Sequence, residues 1–149
     1  MIKYVFIIFA LLAFFGCESK VEKYEYKDVN ISLTPSSKKE ALLVQRFAQY
    51  WHKRLNGDYN SSYDFELPSQ RYLVSLKEYK NVLGLYKGSK ADLVHISYPH
   101  PDIAIVTRKM RIKNKAFTRL DKWLFIDDNW YHKFYQTALP PIGEEEKFQ

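Results

Sequence analysis

The hydrophobic pattern of this chain changes once, and that change limits the folds it can adopt. Between residues 37 and 86 apolar side chains recur at helical spacing, whereas from Ala91 onward they alternate with polar ones. A period of 3.6 residues is typical of helices that bury one face, and a period of 2 is typical of strands. The order predicts an α+β fold in which N-terminal helices pack on a curved antiparallel sheet.

The first helix is the element with the clearest sequence signals. Its signals begin at Thr34-Pro35, because proline suits a first helical position, and Ser37 and Glu40 then have the spacing of a capping box. The helix ends at Asn56-Gly57. One apolar face is predicted at helical spacing, formed by Val44, Phe47, Ala48, Trp51 and Leu55. Lys39, Arg46, Lys53 and Arg54 are expected on other faces.

Two shorter helices and the strands follow. One helix begins at Asp58 and carries Tyr59 and Tyr63 before Pro68 ends it, and the other covers residues 75–86. The predicted strands cover residues 92–98, 103–112, 117–126 and 130–135. The turns between them are expected at Pro99-His100-Pro101, Asn114-Lys115 and Asp128-Asn129.

The first seventeen residues resemble the signal of a bacterial lipoprotein precursor. Lys3 precedes an apolar run over residues 4–15, and Gly16 stands before Cys17, the only cysteine. The run fits a signal-peptide core and is shorter than the ~20 residues that span a bilayer. The resemblance to a lipobox, here Phe14-Phe15-Gly16-Cys17, implies that Cys17 carries acyl chains such as palmitate. An uncleaved anchor and an ordinary cleaved signal are the alternatives.

This interpretation divides the chain into four parts. They are a signal peptide (1–16), a lipid-anchored tether (17–34), a folded domain (35–138) and a flexible acidic tail (139–149). Within the tether, Val29, Ile31 and Leu33 alternate with polar residues and predict a half-buried or edge strand. The expected location is a membrane lipid anchor facing the periplasm. Because Glu18 replaces the aspartate that commonly retains lipoproteins at the inner membrane, the outer membrane is weakly favoured.

The basic composition bears on the partners. The chain has 23 Lys and Arg against 17 Asp and Glu, and loss of Lys3 with the signal leaves 22 − 17 = +5. In an exported protein this balance favours an anionic surface or an envelope protein over nucleic acid. The clearest charge feature is a stripe of Lys109, Arg111 and Lys113 on one side of a strand, which could dock an anionic partner or simply be solvated.

The folded part resembles the NTF2-like superfamily (cystatin-like α+β cone) over roughly residues 36–137. The resemblance rests on the helix ending in Asn56-Gly57-Asp58-Tyr59, on the Tyr63 turn and on the closing hairpin from Phe125 to His132. It implies a cone-shaped sheet around a pocket, and homodimers through the open sheet face. It leaves function open, because the fold hosts isomerases, dehydratases, binding modules and scaffolds.

Candidate pocket residues follow from that resemblance and from residue chemistry. In isomerase-like members an aspartate base works with tyrosine, which here makes Asp64, Asp92 or Asp102 candidates beside Tyr63, Tyr72 or Tyr98. His95 and His100 could join Asp102 in a polar site, but their spacing does not require a metal. We therefore expect no metal or cofactor, and catalytic residues cannot be assigned.

The sequence favours a non-enzymatic interaction or accessory module of the cell envelope. Small-molecule or glycan binding in the cone pocket is the alternative, and an isomerase or hydratase is the third. A pocket filled by large side chains would favour the first, and an open apolar pocket with convergent Tyr and His would favour the second.

Overall fold

The computed structural model describes residues 25–82 and 88–134. Its elements are β1 Val29–Ile31, α1 Lys38–Leu55, α2 Tyr59–Tyr63, α3 Pro68–Leu73, α4 Leu76–Val82, β2 Lys90–His100, β3 Ile103–Ile112, β4 Lys115–Ile126 and β5 Asn129–His132. The predicted α+β class, with helices packed on a curved sheet, is confirmed. The signal peptide, Cys17 and the acidic tail lie outside the described residues.

The sheet is mixed, which corrects the prediction of an antiparallel one. Its strand order is β1-β2-β3-β4-β5, and β1 pairs in parallel with β2 through Val29 and Ala91. The other three pairs are antiparallel. The parallel pair forms because four helices lie between β1 and β2 and return the chain to the same end of the sheet. β1 occupies an edge, as its short alternating pattern predicts.

Local signals set the ends of α1. The Ser37 hydroxyl accepts the Glu40 amide at 3.1 Å, as in a capping box, while the Glu40 carboxylate accepts the Ser36 amide at 2.9 Å. The predicted apolar face is buried apart from Val44, which is only partly covered. The buried residues of the helix are Leu43, Phe47, Ala48, Tyr50, Trp51, Arg54 and Leu55. The burial of Arg54 corrects its expected place on a solvated face.

The step from α1 to α2 has a clear local cause. Gly57 has a φ of +79°, a conformation that favours glycine and ends the helix. Asp58 then caps α2 by accepting the Ser61 amide at 3.1 Å. α2 ends at Tyr63, so Pro68 does not end this helix as predicted. Pro68 instead opens α3, since its missing N–H costs nothing in a first turn.

The turns between strands differ slightly from their predicted positions. The β2–β3 turn lies at residues 101–102, because β2 continues through Pro99 and His100. The next two turns, at 113–114 and 127–128, come one residue earlier than predicted. Lys113, Asp127 and Asp128 have φ of 51°, 49° and 58°, which is typical of tight hairpin turns between twisted strands.

The curl of the sheet encloses the core on one side. Two register irregularities interrupt β2, between Leu93 and His95 and between Ser97 and His100. Extra residues of this kind increase local twist and bend a strand. α1 closes the concave side, and the main core includes Phe47, Trp51, Met110, Trp123 and Trp130. The convex side of the sheet is not covered by a described element.

Candidate functional site

Large side chains fill the concave side of the sheet, where a pocket was predicted. Trp51 is 1% exposed, and Tyr50, Phe47, Trp123 and Trp130 are fully buried. Tyr50 meets Trp51 and Trp123 edge-on, with ring centroids 5.3 and 5.6 Å apart. Edge-to-face packing of this kind leaves few voids in a core. Within the described residues the concave side of the sheet is therefore filled by core side chains, which differs from the expected pocket.

A buried ion pair lies inside this core. The Arg108 guanidinium donates to both carboxylate oxygens of Asp121, at 2.8 and 3.0 Å, and Trp51 Nε1 donates to the same carboxylate at 2.8 Å. Arg108 also lies 3.8 Å above the Trp51 ring. Burial opposes ionisation of Asp121, but Arg108 outweighs it and lowers the pKa of Asp121. Packing the pair against a tryptophan leaves it no access to a ligand.

A second buried network is centred on Glu66. Its carboxylate accepts the hydroxyls of Tyr50 at 2.7 Å and Tyr79 at 2.9 Å, and it lies 2.7 Å from His132 Nδ1. Arg54 in turn donates to the Tyr50 hydroxyl at 2.7 Å. Burial raises the pKa of the Tyr50 and Tyr79 hydroxyls, which keeps both as donors. The Glu66 carboxylate, which is 1% exposed, thus links α1, α4 and β5 through its three partners.

The sequence analysis did not identify either network. Glu66 and His132 are 66 residues apart, and Arg108 and Asp121 are 13 apart on neighbouring strands. Strand alternation did carry one signal, because it places Arg108 on the same face as the buried Met110. A charged residue on a buried face needs a partner, so that pattern could have prompted a search for Asp121.

Among the described residues, a groove lies between α1 and the segment that includes β1. This groove has a volume of about 840 Å³ and its walls are mainly apolar. Its lining includes Val29, Ile31, Leu33, Val44 and Ala48. None of the predicted pocket residues lines it.

Two of the predicted pocket residues are tyrosines that lie in different parts of the fold. The Tyr63 hydroxyl contacts the carbonyl oxygens of Arg71 at 2.8 Å and Val74 at 2.5 Å, so it braces α2 against the α3–α4 connection. Tyr98 is 42% exposed near the end of β2, 6.3 Å from the Trp130 ring. Partial burial raises the pKa of Tyr98 to about 12.

The other three predicted pocket residues are at the surface of the sheet. His95 is exposed on β2 opposite Thr107. His100 and Asp102 are neighbours at the β2–β3 turn, where His100 Nδ1 accepts the Asp102 amide at 3.2 Å. Asp102 also pairs with Lys39 at 2.7 Å, which lowers the pKa of its carboxyl. The structure joins His100 with Asp102 and separates both from Tyr63.

The candidate carboxylates likewise do not converge. Asp64 pairs with Arg71 at 3.4 Å, and Asp92 pairs with Arg111 at 2.6 Å on another part of the molecule. Tyr72, a candidate oxyanion donor, is 90% exposed. In residues 25–82 and 88–134 no group of three or more His, Cys, Asp and Glu side chains is arranged to hold a metal ion.

The predicted basic stripe lies at the end of the β3–β4 hairpin. Lys109 and Arg111 are exposed on the same face of β3, and Lys113 continues the stripe into the turn. Asp92 is the register partner of Lys109 and bonds to Arg111. The stripe is thus contiguous in space and bears one acidic partner among the described residues of the neighbouring strand.

Comparisons of the chain with protein-family models, with curated proteins and with solved structures give no match. The structure defines its class by architecture: an α+β fold with N-terminal helices and a curled five-strand mixed sheet. No helix in the described ranges is long and apolar enough to cross a bilayer.

Proposed function

We propose that this chain is an exported lipoprotein, tethered through acylated Cys17, whose α+β domain is a non-enzymatic interaction or accessory module of the cell envelope. The observation that carries the proposal is the order of Lys3, the apolar run over 4–15, Gly16 and Cys17. Acylation also accounts for a lone cysteine in an exported chain. Two acyl chains suffice for stable anchoring, at ~0.8 kcal/mol per buried methylene.

The filled interior supports an interaction module over a pocket protein. A ligand in the cone would have to displace side chains such as Trp51 and Trp123, which are buried and in contact with the rest of the core. The NTF2-like resemblance is part of the proposal. Helix α1, the Gly57-Asp58 step and the last hairpin occur in the order that this superfamily shows, although its pocket has no counterpart here among the described residues.

A second candidate is binding of a small molecule or glycan. It rests on the groove of about 840 Å³ between α1 and the β1 segment, which falls within the usual size range of ligand sites. Its walls are apolar, so an apolar ligand fits them better than a glycan. An isomerase or hydratase has less support, because Asp64, Asp92 and Asp102 each pair with a different cation and do not converge.

The proposed location is the periplasmic side of a membrane, with the outer membrane favoured weakly through Glu18. The proposed partners are membrane lipid, at Cys17, and an envelope protein or anionic surface. A homodimer through the convex sheet face remains a prediction. Val94, Leu120 and Ile126 are 48%, 44% and 38% exposed on the described surface, and Leu120→Lys should abolish a dimer seen by sedimentation.

Intact-mass analysis of protein from the native membrane fraction tests the proposal. A mass that corresponds to loss of residues 1–16 plus lipid is expected for the natural chain. It should be absent from Cys17→Ala and present in Ser19→Ala, a matched control two residues away. An unmodified full-length mass in the natural chain would refute the lipoprotein assignment and indicate an uncleaved anchor.

A further inference from the structure

Basic side chains collect at one end of the sheet. The set that we call the basic tip surrounds the β3–β4 turn and consists of Lys90, Lys109, Arg111, Lys113, Lys115 and Arg119, all exposed. Lys90, Lys109 and Arg111 share the convex face, Lys113 lies in the turn, and the other two are on β4. The basic tip therefore presents positive charge end-on as well as from one face.

The opposite end of the sheet carries acidic turns. The β2–β3 turn contains Asp102, and the β4–β5 turn contains Asp127 and Asp128. β3 runs from Ile103 at this end to Ile112 beside the basic tip, and ten strand residues cover roughly 30 Å. The sheet is thus electrically polar along its strands, with Lys39 paired to Asp102 at the acidic end.

The chain enters the sheet at the basic end. Because β1 is parallel to β2 and Val29 pairs with Ala91, the residues before Val29 lie beside the start of β2 and therefore beside the β3–β4 turn. Glu25 is the eighth residue after Cys17, so the two can lie at most ~29 Å apart along an extended chain. An anchor at Cys17 would therefore hold the basic tip near the membrane.

Contacts with α1 fix this point of entry. The Tyr26 ring stacks on His52 with centroids 4.1 Å apart. The Asp28 carboxylate lies 2.8 Å from both His52 Nδ1 and Asn56 Nδ2. These contacts therefore fix the path of the chain from Tyr26 into β1.

We propose that the basic tip docks the domain end-on upon anionic lipid headgroups of the membrane that holds its anchor. The inference rests on the proposed lipid anchor at Cys17. The positive charge of the basic tip, which is complementary to the anionic headgroups, supports it. Among the described residues only Arg111 of the basic tip has an acidic partner, Asp92. The remaining cations are free to face phosphate groups, and each basic residue close to an anionic leaflet strengthens attraction about fivefold.

Lysine acetylation read by mass spectrometry tests the docking. The full chain from its native membrane is reconstituted in vesicles of phosphatidylcholine alone or of equal parts phosphatidylcholine and phosphatidylglycerol. On the anionic vesicles Lys109, Lys113 and Lys115 should be acetylated at about one fifth of their rate on neutral vesicles, or more slowly still. Salt at 1 M should restore the rate. Lys38, Lys77 and Lys80, exposed elsewhere, should react equally on both.

Matched variants separate position from total charge. Lys109→Gln/Lys113→Gln/Lys115→Gln leaves the Arg111–Asp92 pair intact and should lower the docked-to-undocked ratio about 100-fold, read as lost protection of Lys90. Lys38→Gln/Lys77→Gln/Lys80→Gln removes the same charge and should leave Lys90 protected. Equal loss in both variants would overturn docking by the basic tip.

The intact mass of each sample distinguishes the two proposals. A lipidated protein whose basic tip reacts equally on both kinds of vesicle refutes the docking alone. An unlipidated protein refutes the anchor. The footprint would still decide the docking in that case. The uncleaved apolar run over residues 4–15 would hold the chain on vesicles, and the chain would still enter the sheet at its basic end through β1. A chain absent from anionic vesicles refutes both.

Discussion

At the residue scale, the polar groups buried in the core were the hardest feature to foresee. Strand alternation places Arg108 beside Met110, but nothing local identifies Asp121 or Trp51 as its partners, because strand register and helix docking bring them together. The same holds for Glu66, whose partners come from three elements. Trp51 was predicted correctly on a buried helix face, because apolar residues at helical spacing indicate such a face from the pattern alone.

The Arg108–Asp121 pair should show the asymmetry of a buried ion pair. Asp121→Asn leaves Arg108 without a counter-charge and should lower the free energy of unfolding by about 3–5 kcal/mol, measured by urea titration. Arg108→Met/Asp121→Leu should be more stable than Asp121→Asn, because it leaves no unpaired charge. Asp64→Asn, at an exposed pair, should cost less than about 1 kcal/mol. Equal effects at the two sites would contradict this account.

The same carboxylate predicts a pH dependence. Because the pKa of Asp121 is lower in the folded chain than in the unfolded chain, its pairing stabilises the fold above the unfolded value of about 3.9. That contribution is lost as pH falls through the folded pKa. Urea titrations between neutral pH and pH 3 should therefore show a smaller loss of stability in Asp121→Asn than in the natural chain. Parallel curves would show that Asp121 does not titrate differently on folding.

At the element scale, local sequence signals predicted well which helices and strands form, but they predicted poorly how the strands pair. Capping residues and apolar spacing placed α1 and β3 at their observed positions, since both depend on neighbours in sequence. The hairpin turns shifted by one residue, because the left-handed positions fell on Lys113 and Asp127 rather than on Asn114 and Asn129. The direction of β1 was not predictable, because it depends on where the helices return the chain.

The end of α1 offers a direct test of the glycine in the Gly57-Asp58-Tyr59 step. A Cβ at Gly57 would meet nothing within 4 Å, so substitution acts through the backbone alone. Gly57→Ala should destabilise the fold by about 1 kcal/mol, and Gly57→Asn by less, because asparagine tolerates a positive φ. Thermal and urea unfolding of the two variants measure this. An equal cost for both would show that the positive φ of Gly57 does not determine the loss of stability.

At the scale of the whole molecule, the parallel edge strand joins three features that the sequence showed separately. These are the predicted N-terminal signal, the basic stripe and the alternating Val29-Asn30-Ile31 segment. Parallel pairing with β2 brings the point of chain entry to the basic end of the sheet. A β1 antiparallel to β2 would instead have placed that entry beside the acidic turns. The orientation at a membrane that we propose would therefore follow from strand direction, and it could not be predicted from the charge pattern alone.

This geometry requires that the entry segment stay fixed on α1, which can be measured. Tyr26→Ala/Asp28→Ala removes the ring stack on His52 and both carboxylate contacts, and each contact of this kind contributes about 1 kcal/mol. Loss of all three contacts, about 3 kcal/mol, should accelerate hydrogen exchange at β1 amides roughly 150-fold, while β3 and β4 amides keep their rates.

Lys27→Ala provides the control, because this exposed residue lies between the two substituted positions. It should leave exchange at β1 unchanged. If the double variant accelerates exchange in β3 and β4 as strongly as in β1, the entry segment unfolds together with the core and does not open locally. If exchange in β1 does not change, the contacts with His52 do not hold the segment. Either result would mean that the contacts of Tyr26 and Asp28 with α1 do not fix the direction in which the chain enters the sheet.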